Sequence, residues 1–196
     1  MNYVDPIKDV KIINKIKRLM LKHEKIKEYA LFVVGINSGL RISDILLLKW
    51  DDVLDDSDNI TDKLRIKEKK TGKTKVFPLN TAAKEALNKL KKQLKNIEYD
   101  EHIFKSNSNR TKSKASPWRR QYVWDFLQTY AQLAGFTGNI GTHTLRKTFG
   151  YHAYTNGVSL ELIQKIFNHS SPGITLRYIG ITQQEIDDVY LNIINL

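Results

Sequence analysis

Apolar residues recur along this chain at a helical interval, then at an alternating one, then at a helical interval again. In residues 6–22, Ile7, Val10, Ile13, Ile16 and Leu19 or Met20 fall three or four apart with Lys between them, which predicts an amphipathic helix. Asp5 and Pro6 are placed to serve as its N-cap and first helical residue. Residues 24–37 are apolar through their centre, predicting a buried helix that stops at Asn37-Ser38-Gly39, where Gly39 can take a positive φ. A third helix starts at Ser43 or just before it and turns Ile45, Leu46 and Leu48 inward. The period then drops to two over residues 64–69. Thr71-Gly72 marks a turn and residues 74–79 continue as a second strand, so this region is read as a β-hairpin with Lys69, Lys70 and Lys73 at its tip. Pro78 fits only an edge or a strand end.

Helical spacing returns in residues 81–94, capped by Asn80, with Ala82, Ala83, Ala86, Leu87 and Leu90 inward. It returns again in residues 118–135, with Val123, Phe126, Leu127, Tyr130 and Leu133 inward. A helix begins at His143, with Thr142 as its N-cap. Another covers 159–168, and a short element opened by Ser171-Pro172 carries Tyr178. The tail, residues 182–196, spaces Ile186, Val189, Tyr190 and Ile193 or Ile194 for a final amphipathic helix that needs an apolar partner. With no internal repeat and no domain-scale linker, the expectation is one domain over residues 1–196, mainly α with a small antiparallel β-sheet (α+β).

A chain of 196 residues with 41% hydrophobic and 27% charged residues has the composition of a globular protein with a proper core. The absence of cysteine excludes disulfides, thiolate catalysis and Cys-based zinc sites. Residues 1–11 have no apolar core and residues 29–36 are too short to span a bilayer, so no membrane association and a cytoplasmic location are expected. The net charge of +11 calls for a polyanionic partner. Its distribution sharpens this. Lys63, Arg65, Lys67, Lys69, Lys70, Lys73 and Lys75 face a single acid, Glu68, and residues 105–120 hold Lys105, Arg110, Lys112, Lys114, Arg119 and Arg120 with no acid. The loop 105–117 is either a solvated linker or a segment that orders on phosphate.

The candidate chemistry lies between His143 and Tyr178. His143 and Arg146 share a helix face, and His169 and Tyr178 follow. Two imidazoles, a guanidinium and a phenol suit an anionic phosphate group. Far upstream, Arg41 sits at the turn into the third helix, either exposed by chance or held as an anion clamp; Asp44, three residues on, is placed to pair with it. The hairpin lysines are either simply solvated or delivered into a DNA groove.

Taken together, SGLRISDILLLKW, KKTGKTKVFPL, HTLRKTFGYHAYTNG and NHSSPGITLRY, in that order over about residues 30–180, resemble the catalytic domain of the tyrosine recombinase (phage integrase) family. The resemblance implies that Tyr178 attacks a scissile DNA phosphate, forming a phosphotyrosyl link and releasing a 5′-hydroxyl. Arg41 and Arg146 would clamp the non-bridging oxygens, Lys70 would be the general acid, His143 would assist proton transfer with the nucleophile, and His169 would hydrogen-bond the phosphate. Planar, permanently charged Arg suits such a clamp, so neither metal nor cofactor is expected, and no P-loop is present to bind ATP. Double-stranded DNA is the implied partner, contacted by Lys69, Lys73, Lys75, Arg110, Lys112, Lys114, Arg119 and Arg120. Dimer or tetramer formation on DNA through the tail, and an accessory DNA-binding protein, are further expectations.

Two features depart from the family pattern. Asn168 stands where Gly more often precedes the second His, a mild change because Asn tolerates the left-handed conformation. The N-terminal helical domain that usually closes around DNA from the other side is expected to be absent, because the chain begins too near the catalytic domain to contain it, which reads as either a naturally short member or a fragment. Two other classes share part of the constellation. Type IB topoisomerases typically place Lys where His143 stands, and a DNA-binding regulator of the same fold would have little activity.

Overall fold

A computed structural model of the chain describes residues 4–70, 72, 74–94, 96–106, 116–188 and 191. Its elements are α1 (Val10–Lys22), α2 (Ile26–Ser38), α3 (Ile42–Ile45), α4 (Trp50–Val53), β1 (Lys63–Lys67), β2 (Thr74–Pro78), α5 (Thr81–Gln93), α6 (Arg120–Ala134), α7 (Thr144–Thr155), α8 (Leu160–Phe167), α9 (Pro172–Ile179) and α10 (Gln183–Asp188). Among the described residues the sheet is the antiparallel pair β1–β2, registered Lys63 to Pro78 and Lys67 to Thr74. The expected α+β class is what forms. No helix among the described residues is long and apolar enough to cross a membrane.

Most helix ends follow from local chemistry. Asn80, Ser159 and Ser171 each accept a hydrogen bond from the backbone N–H three residues on, which satisfies a donor the first turn leaves unpaired. α2 ends at Gly39 with φ 61°, and α8 ends at Asn168 with φ 53°, the left-handed cap expected of that Asn. Thr182 and Glu185 cap α10 reciprocally: the Thr182 N–H donates to the Glu185 carboxylate, and the Glu185 N–H to Thr182 Oγ1.

Two caps differ from expectation. Asp9, not Asp5, caps α1, because Asp5 is engaged by the loop before α7: its N–H donates to Asn139 O and its carboxylate accepts from Asn139 N–H, both at 2.8 Å. Residues 4–8 therefore precede the helix as an extended strap, and Val10, expected inward, is 55% exposed. Thr142 does not cap α7. His143 occupies that position without a side-chain cap bond, and the Thr144 hydroxyl instead accepts from Gly141 N–H. Leu133 and Ala82, also expected inward, are exposed: the last turn of α6 buries Ala131 and Ala134 instead, and α5 buries Ala83, Ala86, Leu87 and Leu90.

The main core packs α1, α2, α5 and α6 around Phe32, Trp50, Phe104 and Leu87, with Leu64 and Ile66 from β1. A second, small cluster of Ile163, Phe167 and Ile179 joins α8 and α9, with Phe149 and Tyr178 against it. α7 lies between the two. Gly150 makes this possible: a Cβ there would stand 2.6 Å from Ile179 and 2.7 Å from Phe167. Of the tail, α10 is described, while the side chain of Ile186, Val189, Tyr190 and residues 192–196, which carry the expected apolar face, lie outside the described residues.

Candidate active site

Four separated stretches converge where α7 meets α9. Arg146, buried on α7, has its guanidinium bracketed by main chain: Nη1 donates to Gly39 O at 2.5 Å and Nη2 to Phe167 O at 2.7 Å, with the Phe167 ring centroid 4.3 Å from Cζ. Those two carbonyls belong to the left-handed ends of α2 and α8, where a helix leaves its last C=O groups without intrahelical partners. The fold thus consumes part of one guanidinium on helix ends and fixes the direction of the rest.

Tyr178, on α9, is half-buried. Its hydroxyl lies 3.0 Å from His143 Nδ1, with the rings edge-on. It also stacks edge-on with Phe167 and His169, at 5.6 and 4.9 Å between centroids. Burial raises the phenol's pKa, while the positive charges of Arg146 and Arg41 and a hydrogen bond from Arg146 oppose that rise. His143 is exposed as a residue, yet loss of water around the ring lowers its pKa, and Arg146, Lys147, Arg41 and Lys70 push in the same direction. It is therefore neutral at pH 7 and able to accept the phenolic proton.

His169 Nδ1 lies 3.1 Å from the hydroxyl of Thr175, a fully buried residue one turn before Tyr178. Burial, followed by Arg146, Arg41 and Lys70, lowers its pKa to about 4. The unfolded chain therefore takes up this proton first, and the stability conferred by a neutral His169, complete above pH 6.5, is lost as the pH falls towards 4. The melting temperature is expected to fall across that window, with a shallower slope in His169→Gln than in the unsubstituted chain. Parallel slopes in a thermal-melt series would contradict the assignment.

Arg41 lies at the N-cap of α3, its side chain 16% exposed, and its carboxylate partner differs from expectation. Nη1 donates to Glu68 Oε1 at 2.9 Å. Asp44 is buried and turns instead to the hairpin, where its Oδ1 accepts from Lys69 N–H at 3.0 Å. Arg41 precedes the helix rather than sitting in it, so the helical i,i+3 neighbour relation does not hold. Lys70 is exposed on the turn after β1, and its charge reaches both His143 and His169.

The surface lysines and arginines divide into groups. Lys69, Arg119 and Arg120 are exposed. Arg120 lines an open groove of about 960 Å³ beside His143, with Gln121, Trp124, Gln128 and Asn139. Lys75 is tied inward: its ammonium donates to Ile166 O at 2.9 Å, and burial lowers its pKa, with Arg146 and Arg41 adding to the effect. Lys73, Arg110, Lys112 and Lys114 lie outside the described residues.

Sequence reasoning missed Glu68, Thr175 and Lys147. The Lys147 ammonium donates to Val4 O at 2.6 Å and stands 5.3 Å from the Tyr178 ring centroid. Thr175 had a signal, its position three residues before Tyr178 on the same helix face. Glu68 had one as well, as the single acid in a run of seven cations.

Residues 8–185 match the family model described as the phage integrase family. The chain is 39% identical over 190 residues to the probable integrase/recombinase YoeC of Bacillus subtilis (strain 168), covering 97% of each. It is 29% identical over 170 residues to the tyrosine recombinase XerC of Thermodesulfovibrio yellowstonii, which takes in 84% of this chain but 53% of that protein. The chain thus spans nearly all of the first relative and about half of the second. Among solved structures, that of XerA recombinase superposes with a TM-score of 0.74 at 17% identity, over 100% of this chain and 66% of that one. A post-cleavage complex of the XerH site-specific recombinase with palindromic difH substrate gives 0.68 at 20% identity, over 93% and 50%.

Proposed function

The chain belongs to the phage integrase family, whose members cut and rejoin DNA in site-specific recombination, and from that premise we propose how its own residues carry the reaction. Tyr178 Oη attacks the scissile phosphorus as His143 Nδ1 takes the phenolic proton. The bond from phosphorus to the 5′-oxygen breaks, Lys70 gives that oxygen a proton, and the DNA is left as a 3′-phosphotyrosyl ester and a free 5′-hydroxyl. Arg41 and Arg146 neutralise the non-bridging oxygens. His169 donates to the phosphate from Nε2 in the tautomer where the Thr175 hydroxyl donates to Nδ1. Rejoining is the same path reversed, and it needs no ATP because the ester keeps the energy of the broken bond.

The observation that carries this reading is the 3.0 Å contact between the His143 imidazole and the half-buried Tyr178 hydroxyl, beside a fixed guanidinium. Free phenol titrates near pH 10, so it needs both a base and nearby positive charge to attack at pH 7. Phosphoryl transfer asks chiefly for alignment and charge neutralisation, and this arrangement supplies both.

Lys69, Lys73, Arg110, Lys112, Lys114, Arg119 and Arg120 bind the duplex in this reading, whereas Lys75, expected among them, is held inward on Ile166 O. The segment from Thr182 onward mediates self-association on DNA, an accessory protein can assist, and the protein works in the cytoplasm.

The test is incubation with a nicked suicide substrate and separation on a denaturing gel. The expected product is a protein–DNA adduct at the 3′ end of the cut, with a new 5′ end that a kinase labels directly. A 5′-linked adduct, or none on a cognate site, would refute the mechanism. Site-independent relaxation of supercoiled plasmid would indicate the topoisomerase activity instead. Binding to DNA is expected to weaken by at least about tenfold between 50 and 200 mM salt, because each phosphate contact releases a counterion. Equal affinity in a fluorescence-anisotropy titration at the two salt concentrations would exclude a phosphate-dominated interface.

A further inference from the structure

The carboxylate that grips Arg41 belongs to the turn that carries Lys70. We infer that Glu68 is a positioning residue that sets the Arg41 guanidinium and the Lys70 turn as one unit, an inference that rests on the transesterification reading. Glu68 directly follows the last residue of β1, and its side chain is 6% exposed. Two of its groups act in different directions. The carboxylate accepts from Arg41 Nη1 at 2.9 Å, while the backbone carbonyl accepts from Gly72 N–H at 2.8 Å and closes the turn that holds Lys70. The bond from Lys69 N–H to Asp44 Oδ1 runs the other way, from the turn back to α3. Arg41 and the turn are therefore latched from both sides.

Energetics argues that this carboxylate is there for direction. Burying a carboxylate costs free energy unless it is paired and hydrogen-bonded, and exposed positions lie on either side of it in a Lys-rich hairpin. An acid beside a phosphate site also opposes phosphate binding by Coulomb repulsion. For affinity alone Glu68 is unfavourable. What it supplies is orientation: a guanidinium held by one nitrogen keeps its other donors aimed, and its planar fork loses little further freedom when phosphate arrives. The turn that presents the leaving-group proton is fixed by the same residue.

Glu68→Gln keeps the shape and an accepting oxygen but removes the charge. It is expected to bind DNA as tightly as the unsubstituted chain, or more tightly. Adduct formation on a suicide substrate should slow by about tenfold to a hundredfold, the usual range for a residue that orients a reacting group. Two modified substrates then separate orientation from general damage. A methylphosphonate at the scissile position carries no charge for Arg41 to neutralise. A 5′-bridging phosphorothiolate has a sulfur leaving group that needs no proton from Lys70. The penalty should shrink on each by at least about threefold, since each removes one of the two tasks that Glu68 serves.

These ratios compare substrates within one protein, so they do not depend on how much of the variant folds. An equal penalty on all three substrates would make Glu68 merely structural and overturn the inference. Relief by only one modified substrate would overturn the single unit. A normal rate on the natural phosphate would overturn it as well. Absence of any adduct with the unsubstituted chain would remove the transesterification reading and this inference with it.

Discussion

Replacing Tyr178 with Phe is expected to abolish the covalent protein–DNA adduct while leaving the fold and DNA affinity almost unchanged. Only the hydroxyl is lost. The ring's edge-on contacts with Phe167, His169 and His143 are those of any six-membered aromatic, and Ile179 beside it keeps the small cluster of α8 and α9 closed. The hydroxyl's bonds with His143 and Arg146 lie at a partly exposed group, and their loss together costs about 1 kcal/mol. For a domain of this size that is a shift of roughly 2–4 °C in melting temperature. A denaturing gel and a thermal melt on the same preparation check both halves. An adduct that survives in Tyr178→Phe would remove Tyr178 as nucleophile.

The pH profile of the unsubstituted chain carries a sign that follows from the site. His143 must be neutral to take the phenolic proton, and burial together with four nearby cations lowers its pKa below that of free imidazole. The adduct rate should therefore hold from pH 8 down to about 6.5 and decline only in more acidic solution. A decline centred above pH 7 would mean that some other group accepts the proton.

Arg146→Ala is the second large effect, and it acts on two levels. It removes a cation aimed at the transferred phosphate, where loss of one fixed donor typically slows the chemical step by about a hundredfold to a thousandfold. It also leaves Gly39 O and Phe167 O without their donors, at a cost of about 1–3 kcal/mol for each buried group. The melting temperature should drop with or without DNA. Arg146→Lys should recover part of the charge and little of the stability, because an ammonium cannot bracket two helix ends while facing the phosphate. If Arg146→Ala melts like the unsubstituted chain, the two carbonyls have found other donors and the bracing account is wrong.

Which helices form, and most of the face each buries, could be read from apolar spacing, Val10, Ala82 and Leu133 excepted, since that spacing depends only on the 3.6-residue turn. Asn80, Ser159, Ser171, Gly39 and Asn168 could be placed for the same reason: a cap bonds within three residues or answers to one backbone angle. The order of the four motifs along the chain was enough to identify the family and the residues proposed to act. Tertiary structure decided the pairings between distant parts. Asp5 lost its cap to Asn139, 134 residues away, and Arg41 passed over Asp44 for Glu68, 27 residues away. Lys75 turned from the surface to Ile166 O, 91 residues on. A charged side chain near one position can reach several partners of nearly equal energy in water. The choice falls to whichever partner the packed core holds at bonding distance and shields from solvent. Local periodicity is written in the chain; which distant charges meet exists only once the core has closed.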